Sequence, residues 1–250
     1  MKDVHFKIIT PMYNVEEWIA LTIKTVLAQD YTNYEWILID DMSTDNTVKI
    51  VEDLTSGIGN IKLIVNTEKK FALKNICEAT ESCNPEDDDV IVNLDGDDWF
   101  PNSRVLSYLN EVYQGDDVWL TYGNHVNWPD IENQPFPIFK YPDSVVENNS
   151  YRSFRFLASH LRAYKYALWK KVDEQDLLDS NGDHWQTAWD LAYMIPMCEM
   201  AGPKAKFLKK HLYVYNNTNP LNDYKIYTEL QQEQEMKIRT GKTYDRIEVL

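Results

Sequence analysis

The sequence predicts an α/β fold with a mostly parallel central sheet flanked by helices, and three observations predict it. Short β-branched or apolar runs recur through the first hundred residues, each run but the last is followed by a segment with helical spacing, and acidic or amide residues stand just past the run ends. Repeated strand–helix–strand units imply parallel strands covered by helices on both faces. Residues 6–10 form the first strand, and Pro11, Met12, Tyr13 and Asn14 read as the loop after it. Over residues 16–29, Trp18, Ile19, Ile23, Val26 and Leu27 are spaced for one face of an amphipathic helix. Residues 36–39 are the second strand and end at Asp40 and Asp41; Ser43 to Thr47 then supply capping side chains for a helix through about Leu54. Residues 61–65, 71–81 and 90–94 follow as strand, helix and strand.

The second half is less regular. Residues 106–113 read as a helix, residues 118–122 as a strand, and residues 128–142 as a long proline-rich loop. A helical pattern is expected over residues 154–161, and a second over residues 188–200 that Pro196 is expected to kink or divide. Residues 206–215 resume extended structure and residues 216–222 form a turn-rich loop. Residues 224–239 form a polar, C-terminal helical extension with little apolar stripe, either packed on a partner or partly exposed. Neither an internal repeat nor a low-complexity linker forces a second independent domain.

Composition narrows the function classes. A chain of 250 residues with 44% hydrophobic content can bury a substantial core, as one α/β domain or as one domain with an appendage. Its formal charge of -15 argues against general nucleic-acid binding, which needs clustered Lys and Arg to displace counterions. A phosphate ligand would therefore need a local cation. Cys77, Cys83 and Cys198 form no CxxC pair and their number is odd, so the simpler reading is a reducing, cytoplasmic setting. No apolar run has the length to span a bilayer, which leaves peripheral membrane attachment open.

The stretch from Val90 to Phe100 carries the chemistry: an apolar run ends in Asp95, Gly96, Asp97 and Asp98. Alternate residues of an extended chain project to one side, so Asp95 and Asp97 can converge while Gly96 permits a close backbone approach. Hard oxygen ligands of this kind suit Mg²⁺ or Mn²⁺, which share their remaining positions with water and phosphate oxygens. A solvated acidic turn is the plain alternative. Ligands of open α/β sheets bind beyond the carboxyl ends of the strands, so Asn14, Asp41 and Asp95 are expected along one rim.

These residues together resemble the family 2 glycosyltransferases of the GT-A fold. The resemblance lies in Ile9-Thr10-Pro11-Met12-Tyr13-Asn14, Ile39-Asp40-Asp41-Met42-Ser43-Thr44-Asp45-Asn46-Thr47, Phe71-Ala72-Leu73-Lys74-Asn75 and Asn93-Leu94-Asp95-Gly96-Asp97-Asp98, with a later Trp189-Asp190. It covers residues 6–125 well and residues 155–215 more loosely. It implies a GT-A domain over residues 1–220, with a nucleotide-binding part to about residue 125, an acceptor and catalytic part over residues 126–220, and a helical tail over residues 221–250. It implies transfer of a sugar from a nucleoside diphosphate sugar, UDP favoured, to a hydroxyl of a glycan or glycoconjugate, with inversion and with Mn²⁺ or Mg²⁺.

The roles implied by the resemblance follow residue by residue. Asp97 is the principal metal ligand, Asp95 its assistant directly or through water, and Gly96 lies beside the nucleotide; Asp41 accepts from the imide of the base. Pro11, Tyr13 and Asn14 form the wall against the nucleotide, with Tyr13 either a stacking ring or simply a buried tyrosine. Lys74 stands where the family often has a basic residue, with a surface lysine as the alternative and Lys69 and Lys70 also available. His160, Arg162 and Trp189 are assigned to the sugar or acceptor region, Arg162 as a partner for phosphate or an anionic acceptor and His160 with a structural histidine as the alternative, and Asp98 is either a structural or a sugar-facing carboxylate. Asp190 is the general base for the incoming hydroxyl, although Trp189 replaces the acidic neighbour often found before it; Asp183 is held in reserve. His211 and residues 216–219 lie where some relatives place a closing loop and a metal-binding histidine, and asparagines in that loop here put a third protein ligand in doubt.

Other classes fit less well. A haloacid-dehalogenase-like phosphatase would carry its aspartate pair near the first strand and continue to Thr, whereas Asp97 continues to Asp98 and Trp99. A sugar nucleotidyltransferase would need a Gly-rich loop after the first strand, and a P-loop enzyme its own glycine signature, neither of which occurs. The non-enzyme alternative is a glycosyltransferase-like module that binds nucleotide sugar without turnover.

Overall fold

The computed structural model describes residues 3–115, 117–130 and 139–250. Four strands, β1 (Phe6–Met12), β2 (Tyr34–Asp40), β3 (Ile61–Val65) and β4 (Val90–Asn93), alternate with the helices α1 (Ile19–Leu27), α2 (Thr47–Thr55) and α3 (Phe71–Ser82). All four strands are parallel, in the spatial order β3-β2-β1-β4. The period-two pattern explains how they are covered. Ile9, Ile37, Ile39 and Ile91 face one core, while Ile8, Trp36, Leu38 and Val92 face the other. Met12 pairs with Asp40, so β1 and β2 end level, while β4 ends at Asn93 opposite Ile9; the loops after all three share one rim.

The sheet is completed by β5 (Leu120–Trp128), β6 (Arg162–Lys165) and β7 (Ala205–Asn216), giving the order β3-β2-β1-β4-β6-β5-β7. Within it β6 runs antiparallel to both β4 and β5, and β7 runs parallel to β5. Helix α4 (Val105–Gly115) covers the α1 face; α5 (Asp143–Glu147) and α6 (Tyr166–Trp169) are short. Helix α7 (Trp189–Ala201) is buried on nearly every side, from Leu191 to Ala201. It runs unbroken through Pro196, which corrects the expected division; contacts all round hold the one turn that lacks its hydrogen bond.

A further expectation is corrected. Residues 154–161 are not helical and run without regular structure into β6, with Leu157, Ala158 and Leu161 buried. The C-terminal extension, α8 (Asp223–Ile226) and α9 (Thr228–Arg239), is partly exposed, as expected, and is also tied to the body. Arg239 donates to the carbonyls of Arg152 and Phe154, at 3.0 and 2.7 Å. Arg152 grips the fully buried Glu199 of α7 through two bonds, at 2.8 and 3.1 Å, and the Tyr244 N–H donates to the same carboxylate at 3.1 Å. Of the expected loop over residues 128–142, residues 131–138 lie outside the described residues. Cys77, Cys83 and Cys198 are all free thiols, and no helix among the described residues is long and apolar enough to cross a membrane.

Candidate active site

The acidic turn after β4 is clamped from beneath. Thr22 of α1 donates its hydroxyl to the carbonyls of Gly96 (3.1 Å) and Asp98 (2.7 Å), and the Gly96 N–H donates to the Pro11 carbonyl (3.1 Å). A side chain at Gly96 would place its Cβ 2.6 Å from Met12 Cβ, so the two loops can touch only with glycine there. The three aspartates thereby take different surroundings. Asp98 is 1% exposed and accepts from the Tyr213 hydroxyl (2.6 Å) and the Asn216 N–H (2.7 Å). Asp95 accepts from the same Tyr213 hydroxyl at 3.2 Å. Asp97 accepts from Asn219 Nδ2 at 2.7 Å. Asp98 therefore stitches the turn to the end of β7, and Asp95 and Asp97 face a cavity of about 570 Å³ along the rim.

At one end of this cavity lie Pro11, Tyr13 and Asp41. Asp41 accepts from the backbone N–H groups of Lys70 (2.8 Å) and Phe71 (3.0 Å) and from Asn66 Nδ2 (3.2 Å), and it pairs with Lys69 Nζ at 3.2 Å. Burial alone would raise its carboxyl pKa, but the Asn75 amide, the Lys70 N–H, the Lys69 charge and the Asn66 amide bring it below the usual range. Lys69 lies over the Tyr13 ring. Two expected members of this wall stand elsewhere. Asn14 does not line the cavity; its side-chain oxygen accepts from the Thr44 N–H (2.8 Å) and its own N–H donates to Ser43 Oγ (2.8 Å), so it joins the first two rim loops. Lys74 does not line it either, because the helical turn carries it toward His184, and Lys69, just ahead of α3, is the lysine at the site.

Toward the centre, Arg162 enters from the start of β6. It is 1% exposed, and its Nη1 donates to Asp190 Oδ2 at 2.7 Å while Nη2 lies 3.7 Å from Asp95 Oδ2. Its guanidinium covers the Trp189 ring at 4.9 Å. Asp190 opens α7, where its Oδ1 accepts from the Leu191 N–H (3.1 Å). Burial raises the Asp190 carboxyl above its ordinary range, against the opposing charge of Arg162. His160 stacks on Tyr213 with centroids 4.4 Å apart, and His125 meets His160 edge-on at 5.5 Å. Burial, with Arg162 next, pushes His125 down to about 4 and His160 well below its usual value, so both rings are neutral. Asp183 is exposed in the loop ahead of α7, and His211 is exposed on β7; neither lines the cavity.

Several cavity residues had no signal in the sequence. Asp223, at the start of α8, is pushed up to about 6 by burial and then by Asp95, with Asp190 and Asp97 adding to the effect. Tyr215, Gln186, Tyr227 and Gln231 also line the cavity. The tail contributes further by holding the loop before Asp190: Gln234 of α9 accepts from both the N–H and the hydroxyl of Thr187, each at 2.8 Å.

The donor set suits a divalent cation that needs few protein ligands. Asp97 is pushed up to about 6 by burial, with Asp95 adding to it, and Asp98 rises by burial and by both neighbours. Such mutual elevation marks an uncompensated negative site, which a dication would relieve. Asp98 is committed to Tyr213 and Asn216, which leaves Asp97 and Asp95 as the carboxylates of the turn that could hold a cation. Among the described residues no three His, Cys, Asp or Glu side chains form a metal-binding group, so a cation held here would need oxygens from water or a bound phosphate besides Asp97 and Asp95.

Comparisons with known proteins agree with this geometry. An uncharacterized glycosyltransferase of Haemophilus influenzae is 33% identical over 168 residues, which cover 60% of this chain and 64% of that one. The Escherichia coli protein WfgD, named UDP-Glc:alpha-D-GlcNAc-diphosphoundecaprenol beta-1,3-glucosyltransferase, is 34% identical over 127 residues, covering 50% of this chain and 47% of that one. The chain thus spans less than two thirds of either relative. In fold it is similar to Staphylococcus aureus TarS 1–349 in complex with UDP-GlcNAc, with a TM-score of 0.64 and 20% identity over 86% of this chain and 59% of that one. It is also similar to the mannosyltransferase PcManGT of Pyrobaculum calidifontis in complex with GDP-Man and Mn²⁺, with a TM-score of 0.61 and 19% identity over 98% of this chain and 67% of that one. The α/β sheet is the GT-A arrangement expected from the sequence. The model of the family described as Glycosyl transferase family 2 matches residues 7–172, and the chain belongs to that family.

Proposed function

We propose that this protein transfers a sugar from a nucleoside diphosphate sugar, UDP-linked by preference, to a hydroxyl of a glycan or glycoconjugate, with inversion and with Mn²⁺ or Mg²⁺. The carrying observation is that Asp41, Asp97 and Asp190 line one cavity at the carboxyl ends of the parallel strands. In this reading Pro11, Tyr13 and Asp41 receive the nucleoside, with Lys69 beside them, and Gly96 lets the turn approach the diphosphate. Asp97 and Asp95 hold the cation, which when bound supplies Lewis-acid stabilisation of the leaving diphosphate. The acceptor oxygen bonds to the anomeric carbon as the bond to the diphosphate breaks, and its proton passes to Asp190. Arg162 fixes the orientation of that carboxylate, and burial raises its proton affinity toward the working range. The nucleotide part runs to about residue 125 and the acceptor part over residues 126–220, to which the geometry adds residues 221–231 of the tail. Free thiols at all three cysteines support a reducing, cytoplasmic setting.

The test separates the two carboxylates. UDP with Mn²⁺ is expected to raise the melting temperature of the wild type and of Asp190→Asn but not of Asp97→Asn. Asp190→Asn is expected to lower UDP-sugar turnover by about 10²–10⁴-fold. Near wild-type turnover in Asp190→Asn would remove it as the base.

A further inference from the structure

The cavity wall built by α7, α8 and α9 is rich in rings and amides. Tyr224 and Tyr227 contribute aromatic faces beside Trp189, whose ring carries the Arg162 guanidinium and stacks with Tyr193, and Gln186 and Gln231 contribute side-chain amides. Asp190 and Asp223 stand among them. Four described side chains lining the cavity can carry positive charge: Lys69, His125, His160 and Arg162. Lys69 pairs with Asp41 at the nucleoside end. Arg162 gives Nη1 to Asp190 and lies 3.7 Å from Asp95; its Nε and Nη2 have no hydrogen-bond partner, but its one positive charge stands against Asp190, Asp95 and Asp223. His125 and His160 are neutral because they are buried beside Arg162. Lys225, outside the lining, donates to the Asn217 and Asn219 carbonyls. An anionic group brought next to Asp190 would meet more carboxylate than cationic charge.

An uncharged sugar meets a better match. The C–H face of a pyranose can lie on the aromatic faces, its hydroxyls can exchange hydrogen bonds with amides that both donate and accept, and one hydroxyl can reach Asp190. We infer that the acceptor end of this cavity takes an uncharged sugar residue and selects against uronic acids and phosphorylated sugars. The inference rests on the glycosyl-transfer reading above and adds the chemical class of the acceptor. It departs from the expectation that Arg162 partners an anionic acceptor, because Asp190 and Asp95 already stand against that one charge.

The test uses the full chain saturated with UDP and Mg²⁺, with ligand-observed NMR of methyl pyranosides. Methyl glucoside, galactoside and N-acetylglucosaminide are compared with methyl glucuronide and glucose 6-phosphate. At least one neutral pyranoside is expected to bind, and its charged counterpart to bind about tenfold more weakly, the scale of like-charge repulsion in a partly buried site. Gln231→Lys adds a further cation and is expected to narrow that gap by about threefold or more. Gln186→Lys repeats the comparison from the loop before α7, so that misfolding of one variant leaves the other to decide. Equal or tighter binding of the anions by the wild type overturns the inference. So does a gap that neither folded variant narrows, or protein that binds UDP but none of the pyranosides. If UDP with Mg²⁺ leaves the melting temperature unmoved, the donor reading itself has failed, a result distinct from those three.

Discussion

Replacing Asp223 with Asn is expected to stabilise the ligand-free protein at neutral pH. The Asp223 carboxyl is half-buried and held at about 6, against an ordinary 3.8, by burial and by Asp95, Asp190 and Asp97, with the Trp189 side chain opposing the rise. A raised acidic pKa means that the folded state binds the proton more tightly than the unfolded chain does, so stability is fully present below about pH 4 and is lost as pH rises through about 6. At 1.36 kcal/mol per pH unit the loss has an upper value of about 3 kcal/mol above pH 6, and remaining water contact brings it to about 1–3 kcal/mol. Asn has the same shape and no charge, so Asp223→Asn is expected to melt about 3–9 °C above wild type at pH 7.5. By pH 5 about half of that advantage is expected, and near pH 4 about a fifth. Thermal unfolding followed by circular dichroism at these three pH values measures it. An advantage equal at pH 5 and pH 7.5, or a variant less stable than wild type at pH 7.5, would refute the charge argument.

Three other substitutions test the scaffold of the site. Gly96→Ala places a methyl 2.6 Å from Met12 Cβ and is expected to cost about 1–3 kcal/mol in denaturant titration and to weaken UDP binding, because the rim loops must separate. Arg152→Met leaves the fully buried Glu199 without its cation and is expected to cost about 3–5 kcal/mol, much of which Glu199→Leu in the same chain restores. Gln234→Ala removes the acceptor shared by the Thr187 N–H and hydroxyl and is expected to cost about 1–3 kcal/mol. It is also expected to lower turnover while the UDP-induced melting shift persists, and equal loss of both would mean that α9 does not act through the Asp190 loop.

The parallel half of the fold was legible because local and global signals coincide there. In β1, β2 and β4 the side chains alternate between two cores, and each strand is followed by an aspartate or asparagine on the rim. Residues 154–161 misled because Phe154, Leu157, Ala158 and Leu161 fall at helical intervals while the chain there is irregular and not helical. Their burial comes from the long-range core, and His160 is fixed by stacking on Tyr213, more than fifty residues away in the chain. The rim loops hid another feature: Met42 (φ 66°), Phe71 (φ 61°) and Ala188 (φ 49°) are left-handed without being glycine. Backbone of that kind costs about 1–2 kcal/mol per residue and is held only by tertiary contacts. At Phe71 the contact is visible, since its N–H donates to Asp41. Lys69 was one of three adjacent candidates with Lys70 and Lys74, and the entry into α3 selected it. Asp223 looked like an ordinary acidic residue in a first helical turn, and only the path of the chain after β7 brings it to Asp95 and Asp190.

The cavity gathers Asp95, Asp97, Asp98, Asp190 and Asp223 around the single buried guanidinium of Arg162. Besides that cation, the fold holds the carboxylates mainly with neutral donors: the Tyr213 hydroxyl, the Asn216 and Leu191 N–H groups and the Asn219 amide. Neutral donors favour the ionised form of a carboxylate but leave its charge uncancelled. The site therefore keeps a negative excess, and the clamps from Thr22 and Tyr213 hold in place a turn that its own charges would open. A divalent cation removes that repulsion only in the folded chain, because unfolding disperses the aspartates. Its binding free energy is then added to stability by mass action, about 2.7 kcal/mol at a hundredfold excess over Kd. The same excess charge that makes the ligand-free turn costly is what would draw the cation, and with it the diphosphate, to an otherwise strongly acidic protein.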